Sequence, residues 1–256
     1  MKKKWITNII LVLFVLAFIA SGLYLLRYYL EARKTESEIN ELQQLKTESL
    51  SEEETKDTNK KNSNMLKEYR KLYQKNKDLI GWIHVKGTPI DYPVMQTPKD
   101  PEYYLHKNYN KQEDANGLPF LDAKCDTEDR NNNLMVYGHH MKSGLMFAHL
   151  EDFENKDFYE KHKVIEFDTL REKRKYEVIA VFRSQVYKEK EDMFKYYEYA
   201  GHLSEKQYSS YVYHCQKMSV HKKGKSLKYG EQLLTMVTCA YHVNEGRFVV
   251  VAKRVK

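Results

Sequence analysis

The sequence is poor in cysteine and has no marked excess of one charge over most of its length. Its 256 residues include three cysteines, Cys125, Cys215 and Cys239, which are far apart and lack CxxC spacing. We therefore expect no disulfide framework. Four of the 43 Lys and Arg residues, and no acid, lie in residues 1–30, which leaves 39 basic against 36 acidic residues elsewhere. A nucleic-acid-binding domain concentrates basic residues, so this composition does not support that class.

Charge is absent from residues 6–26, which are mostly Ile, Leu, Val, Phe and Ala. A helix of this length can cross a hydrocarbon core of about 30 Å. The run exceeds the roughly 7–15 apolar residues of a cleavable signal peptide, and Phe18 stands where cleavage needs a small side chain. We expect an uncleaved single-pass anchor. The lysines at positions 2–4 predict a cytoplasmic N-terminus, although Arg27 beyond the span weakens that bias.

Composition divides the chain into three predicted segments. Residues 1–30 form a cytoplasmic tip and transmembrane signal anchor. Residues 31–64 are polar, contain no aromatic residue, and predict a stalk or linker that is helical near the membrane and flexible after Ser49. Residues 65–256 form the extracellular folded domain, which begins with an amphipathic helix at residues 65–79.

The folded segment is predicted to be mainly β, with one closed or nearly closed barrel. Helical inserts are expected at residues 145–162 and 187–228, the second with Ser204 as an N-cap. Eight short apolar runs separated by turn residues predict the strands: residues 81–85, 90–95, 118–122, 133–137, 164–169, 176–186, 233–238 and 247–253.

Cys239 and Arg247 flank the turn between the last two predicted strands. If these strands form a hairpin they lie about 4.8 Å apart, and the thiol faces the guanidinium. A guanidinium stays charged, so it can favour a thiolate or stabilise a developing oxyanion. The alternative is a buried structural cysteine at a strand end.

Two histidines, His139 and His140, follow another strand directly after Gly138. The pKa of histidine lies near ambient pH, so the side chain can protonate a leaving amine. Cysteine with histidine is the minimum set for cysteine acyl transfer. Adjacent side chains on a strand point to opposite faces, which disfavours one metal bound by both histidines. We expect no metal and no cofactor.

Three motifs resemble those of the sortase family. TMVTC at residues 235–239 is similar to the TLxTC signature, with Met236 in place of Leu. YGHHM at residues 137–141 resembles a segment of class B sortases, and Gly246 with Arg247 resembles the start of their arginine strand. The resemblance extends from about Met65 to the C-terminus and includes weaker matches at residues 78–83, 90–94, 103–105 and 117–122.

The resemblance implies a sortase-type closed eight-stranded β-barrel with N-terminal helices and a helix in the loop before the cysteine strand. It implies that Cys239 attacks a threonine carbonyl, that His139 protonates the departing amine, and that Arg247 positions the substrate and stabilises the oxyanion. The histidine directly after glycine is the family position. Two further residues are weaker candidates for substrate binding, Tyr137 and Thr238.

The predicted function is a cysteine transpeptidase on the outer face of a Gram-positive-type envelope. It cleaves the sorting motif of secreted surface proteins after Thr and joins the acyl group to an amine of a peptidoglycan precursor or cross-bridge. A pilin-polymerising sortase and a thiol hydrolase share the first half-reaction and remain alternatives. A membrane-tethered haem- or metal-binding or scaffold module is the alternative from another class.

The insert at residues 187–228 is expected to form one wall of the substrate groove. Aromatic faces suit proline and planar amide groups, so this wall, like the class B resemblance, favours an NPxTx or PxTx motif over an aliphatic first residue. The insert carries the side chains expected to build the wall: Tyr196, Tyr197, Tyr199, Tyr208 and Tyr211, among Lys188, Lys190, Lys195 and Lys206.

Overall fold

The computed structural model describes residues 2–51, 64–127, 133–188, 192–221 and 226–256. A long helix, α1 (Lys2–Ser51), precedes a β-barrel, and the described residues include three shorter helices. The shorter helices are α2 (Lys67–Lys75), α3 (Lys156–His162) and α4 (Glu205–Met218).

The barrel consists of eight strands that close in the order β1-β2-β3-β4-β7-β8-β6-β5. Neighbouring strands are antiparallel, except for the parallel pairs β2–β3 and β4–β7. The predicted closed eight-stranded barrel is confirmed. The strands are β1 (Leu79–His84), β2 (Asp91–Met95), β3 (Phe120–Leu121), β4 (Asn133–Tyr137), β5 (Val164–Thr169), β6 (Lys175–Gln185), β7 (Leu233–Cys239) and β8 (Gly246–Arg254).

Strand β7 is buried from Leu233 to Thr238, on both of its faces. A strand covered on both faces reads as a continuous apolar run rather than an alternating one. Helix α4 supplies part of the outer cover: the Tyr211 hydroxyl lies 2.7 Å from Thr235 Oγ1, which in turn donates to Asn133 Oδ1 at 2.8 Å. These bonds satisfy polar groups inside the layer, which would otherwise destabilise it.

Helix α4 begins as predicted, at the N-cap Ser204. The Ser204 hydroxyl accepts from the Gln207 N–H at 3.3 Å, and the Gln207 side chain accepts from the Ser204 N–H at 3.0 Å. This reciprocal pair is a capping box. It fixes where the insert turns back over the barrel.

The helix expected at residues 145–162 is interrupted. A 3₁₀ segment (Ala148–Glu154) precedes α3, and Asn155 between them has an extended backbone with ψ 126°. The Asn155 side chain accepts from the backbone N–H groups of Asp157 and Phe158. Asparagine competes with the helical backbone in this way, so it ends one helix and caps the next.

Helix α1 contains the apolar run and continues beyond it. The run is exposed and is long and apolar enough to cross a bilayer. Beyond it, Ile39 and Leu42 are buried against the folded domain, and the Gln43 amide donates to the Asp91 carbonyl at 2.9 Å. Residues 31–51 of the predicted stalk are helical, and Ile39 and Leu42 pack on the folded domain. Residues 52–63 lie outside the described residues, and the boundary at residue 65 stays a prediction.

Candidate active site

Cys239 and Arg247 are register partners at the turn end of the β7–β8 hairpin. Directly opposed residues of an antiparallel pair share a face and have Cβ atoms about 4.5–5.5 Å apart. The thiol and the guanidinium therefore project from the same face of the sheet, as the hairpin predicts. Cys239 is partly exposed, while the other two cysteines are buried.

The two other thiols are held in their protonated form. Burial raises the pKa of Cys125 to about 12, and its thiol donates to the Asn133 carbonyl at 3.3 Å. Burial also raises the pKa of Cys215, which lies on the inner side of α4. Loss of hydration disfavours a thiolate. Cys239 is therefore the thiol available for nucleophilic chemistry.

His139 follows β4 after a glycine that the packing requires. A Cβ at Gly138 would lie 2.7 Å from the Phe147 ring, so a larger residue would displace that ring. His139 Nε2 lies 2.8 Å from the Leu105 carbonyl oxygen. A carbonyl only accepts hydrogen bonds, so Nε2 carries the hydrogen and Nδ1 is the nitrogen left for the substrate.

The surroundings of His139 favour its neutral form. Burial lowers the pKa of His139; the hydrogen bond with the Leu105 carbonyl opposes this in part, and the nearby His106 lowers the pKa further. The two imidazole rings have centroids 5.6 Å apart. A weakly basic imidazole is a stronger acid once it is protonated, so it transfers a proton to a leaving amine more readily.

The Arg247 guanidinium is held by its own turn. Nη1 donates to the Gly246 carbonyl at 3.0 Å, and Nη2 to Glu245 Oε2 at 3.2 Å. Glu245 adopts a left-handed backbone with φ 53°, which is unfavourable for a residue with a side chain. Glu245 is thus a counter-ion of Arg247.

The peptide group after Cys239 has partners on both sides. Its carbonyl oxygen lies 3.1 Å from His140 Nδ1, and its N–H, contributed by Ala240, donates to the Gly246 carbonyl at 2.9 Å. This N–H is therefore engaged within the hairpin and does not point free toward a substrate oxyanion. At the turn end of the hairpin, the Arg247 guanidinium is therefore the group that can donate a further hydrogen bond.

A cavity of about 540 Å³ collects all five residues predicted for the site. Cys239, His139 and Arg247 line it together with Tyr137 and Thr238. Its size fits an extended peptide segment, since ligand pockets are typically about 300–1,000 Å³. The wall is completed by Leu105, Phe120, Asp122, Val186, Tyr196 and Tyr197, among others.

The hydroxyls of Tyr137 and Thr238 differ in their contacts. The Tyr137 hydroxyl donates to Asp122 Oδ2 at 3.1 Å, so its ring is the part left to contact a substrate. Thr238 is buried, and its Oγ1 has no hydrogen-bond partner among the described residues. Substrate-binding roles for both residues stay predictions.

The insert contributes fewer side chains to the cavity than its spacing predicted. Tyr196 and Tyr197 line the cavity, with ring centroids 5.3 Å apart. Tyr208 instead donates to the Glu231 carbonyl at 2.8 Å, and Tyr211 packs in the core against Thr235. These two tyrosines fasten α4 to the barrel because they project from its buried face. Tyr199 packs on Tyr211. Of the lysines expected in this wall, Lys188, Lys195 and Lys206 are not among the residues that line the cavity. Lys190 lies outside the described residues.

Three features of the site had no clear signal in the sequence. The Leu105 carbonyl orients His139 through the backbone, which no side-chain pattern reveals. Asp122 holds Tyr137, and Glu245 was assigned only to the turn. For Glu245, the clue in the sequence is a carboxylate two residues before an arginine at a hairpin turn.

The geometry agrees with what comparisons with known proteins find. A family model described as the sortase domain matches residues 83–255. Sortase B of Staphylococcus aureus is 28% identical over 258 residues, covering 100% of this chain and 99% of that protein. Sortase B of Listeria monocytogenes is 31% identical over 205 residues, covering 78% and 80%.

Solved structures give the same relationship. A Staphylococcus aureus sortase B–substrate complex matches with a TM-score of 0.74 at 28% identity, covering 89% of this chain and 99% of that chain. Sortase B from B. anthracis matches with a TM-score of 0.73 at 31% identity, with the same coverage. Sortases are cysteine transpeptidases that act on sorting motifs at the cell surface. With its closed barrel and its cysteine and arginine paired at one hairpin, the chain belongs to the sortase family, in class B.

Proposed function

We propose that Cys239, His139 and Arg247 carry out the acyl transfer of this sortase. The observation that supports this assignment is the register pair of Cys239 and Arg247 in a cavity that His139 also lines. The three residues have complementary chemistry: a nucleophile, a proton donor and a fixed cation.

The reaction has two halves. Cys239 gives its thiol proton to neutral His139, and the resulting thiolate attacks the carbonyl carbon of the motif threonine to form an oxyanion that Arg247 stabilises. His139 transfers a proton to the departing amine nitrogen as the peptide C–N bond breaks, which leaves a thioester on Cys239. An acceptor amine then attacks the thioester, gives a proton to His139, and releases the Cys239 thiolate as the new amide forms.

The acceptor is proposed to be a peptidoglycan amine, and α1 is proposed to anchor the enzyme with its domain outside the cell. The apolar part of α1 is exposed in the structure, as expected for a helix surrounded by lipid. An anchored transpeptidase meets secreted proteins where they leave the membrane. Its natural product is a covalently attached surface protein.

We expect transpeptidation to exceed hydrolysis when an amine is supplied. Purified enzyme is incubated with a sorting-motif peptide and either triglycine or Nα-acetyl-lysine amide, and amide and acid products are separated by mass. Amide formation with triglycine supports the cell-wall role. Preference for the lysine analogue supports pilin polymerisation, and an acid product alone, at saturating amine, contradicts transpeptidation and identifies a thiol hydrolase.

We expect an Asn-Pro motif to be preferred over a Leu-Pro motif. Tyr197 lines the cavity and is partly exposed, and an aromatic ring face stacks on proline and planar amides. Peptides beginning Asn-Pro, Ser-Pro and Leu-Pro, otherwise identical, are compared by kcat/KM. We expect Asn-Pro to exceed Leu-Pro by about tenfold or more, in the range one pocket contact supplies. A clear preference for Leu-Pro would contradict the NPxTx assignment without affecting the catalytic one.

A further inference from the structure

A cleft near the catalytic histidine reaches the end of the apolar run. Arg27, the first residue after the run, lines this cleft of about 420 Å³ between α1 and residues 106–115, and His106 lines the same cleft. The His106 ring is also the one whose centroid lies 5.6 Å from that of His139. His106 thus borders both the cleft beside α1 and the catalytic histidine.

The β7–β8 loop, residues 240–245, lies beside the end of β4 that leads to His139. Tyr241 is two residues beyond Cys239, its hydroxyl donates to the His140 carbonyl at 3.2 Å, and its ring centroid lies 5.4 Å from that of His140. The loop and the cleft lined by Arg27 therefore both adjoin residues 139–140, the loop directly and the cleft through His106.

Side-chain hydrogen bonds fasten α1 to the domain and fix the distance between them. The Thr35 hydroxyl donates to Asp114 at 2.8 Å, and the Asn108 amide donates to Glu38 at 2.9 Å. Thr35 lies nine residues after Leu26, which is about 13 Å along a helix that rises 1.5 Å per residue. Because α1 is one continuous helix, the domain cannot lie far from the surface from which the helix emerges.

The side chains on this face suit a lipid interface. Tyr241 is 71% exposed and Val243 44% exposed at the tip of the loop. Tyrosine is enriched where membrane meets water, because its ring is apolar and its hydroxyl is polar. The cleft itself is not basic, because Arg27 and Lys34 are accompanied by Glu31, Glu113 and Asp114, so docking depends on the side chains of the loop.

We propose that residues 240–245 dock on the headgroup layer of the bilayer that α1 spans, so that the catalytic cavity opens at the membrane surface. The inference rests on the proposed membrane anchor and goes beyond it, because an anchor alone allows the active site to face away from the lipid. Docking places Tyr241 and Val243 at the interface. The cavity is then reached most directly by substrates that are themselves still tethered to the membrane.

The test measures the depth of the loop in the full chain. The protein is reconstituted in phosphatidylglycerol-containing vesicles and spin-labelled at Tyr241→Cys or Val243→Cys in a Cys239→Ser background, where the two remaining cysteines are buried. Tyr213→Cys, on the exposed side of α4, is the matched control because Tyr213 is also a well exposed tyrosine. The unsubstituted Cys239→Ser chain measures background labelling.

We expect labels at positions 241 and 243 to be at least threefold less accessible to a water-soluble nickel relaxant than the label at position 213. A headgroup-attached spin label should also broaden the spectra from 241 and 243 and leave that from 213 unchanged. Equal accessibility at all three positions in a chain that co-floats with vesicles overturns the docking and leaves the anchor intact. A chain that fails to float with vesicles overturns both.

Discussion

Replacing Cys239 with Ala is expected to lower the rate of sorting-motif cleavage by at least ~10³-fold, because covalent catalysis has no substitute nucleophile in this cavity. The two other thiols are buried in the barrel wall and in α4 and cannot reach the peptide. The acyl-enzyme is trapped with a labelled peptide and detected by intact mass. We expect the adduct in the unaltered enzyme and none in the variant.

Cys125→Ala is the matched control for this loss, since it removes a thiol from the same chain without touching the cavity. We expect it to retain acyl-enzyme formation, with any change limited to thermal stability. A thiol reagent should modify Cys239 first, because burial raises the pKa of Cys125 and Cys215. Peptide cleavage by Cys239→Ala at the rate of the unaltered enzyme would rule out this nucleophile.

Replacing Arg247 with Ala is expected to lower kcat by about 10²–10³-fold, the usual effect of removing one oxyanion donor. The effect should fall on kcat more than on KM, because charge on the threonine oxygen develops only in the transition state. The neighbouring N–H of Ala240 is bonded to Gly246 and cannot compensate without opening the hairpin. Steady-state kinetics with a single peptide measures both constants.

Glu245→Gln separates the charge of Arg247 from the shape of its turn. The change keeps the side-chain length and removes the negative charge that Nη2 contacts at 3.2 Å. We expect kcat to stay level or rise, because the guanidinium no longer has to leave a carboxylate to meet the oxyanion. If Glu245→Gln lowers kcat as much as Arg247→Ala does, the reaction needs the carboxylate that orients the guanidinium, and the expectation is wrong.

The catalytic hairpin could be predicted because its signals are local. β-Branched strands, a polar turn at residues 244–246 and the positions of Cys239 and Arg247 determine the register, and the structure has these two residues as partners. The barrel could be predicted for a similar reason, since each strand carries its own apolar pattern and turn boundaries. The prediction that the barrel is closed and has eight strands came from the family resemblance.

Features that depend on distant packing could not be predicted. Ile39 and Leu42 of α1 have the spacing of buried residues. The sequence does not reveal whether a partner surface lies within their reach, so the same pattern is equally consistent with a polar stalk. The orientation of the insert tyrosines could not be predicted for the same reason. Tyr208 and Tyr211 belong to the core because α4 lies on β6 and β7. Backbone groups such as the Leu105 carbonyl carry no sequence signal.

The parallel pairing of β4 with β7 has a consequence for how the chain becomes active. Asn133 pairs with Leu233 across one hundred residues, and a contact between such distant positions forms slowly because a long loop must be closed first. The strand that carries Cys239 can pair with β4 as soon as it is synthesised, but it has no second neighbour until β8 follows. A chain lacking β8 carries the thiol without its arginine partner and without a closed barrel. Addition of β8 thus completes the barrel and the pair of Cys239 and Arg247 in one step.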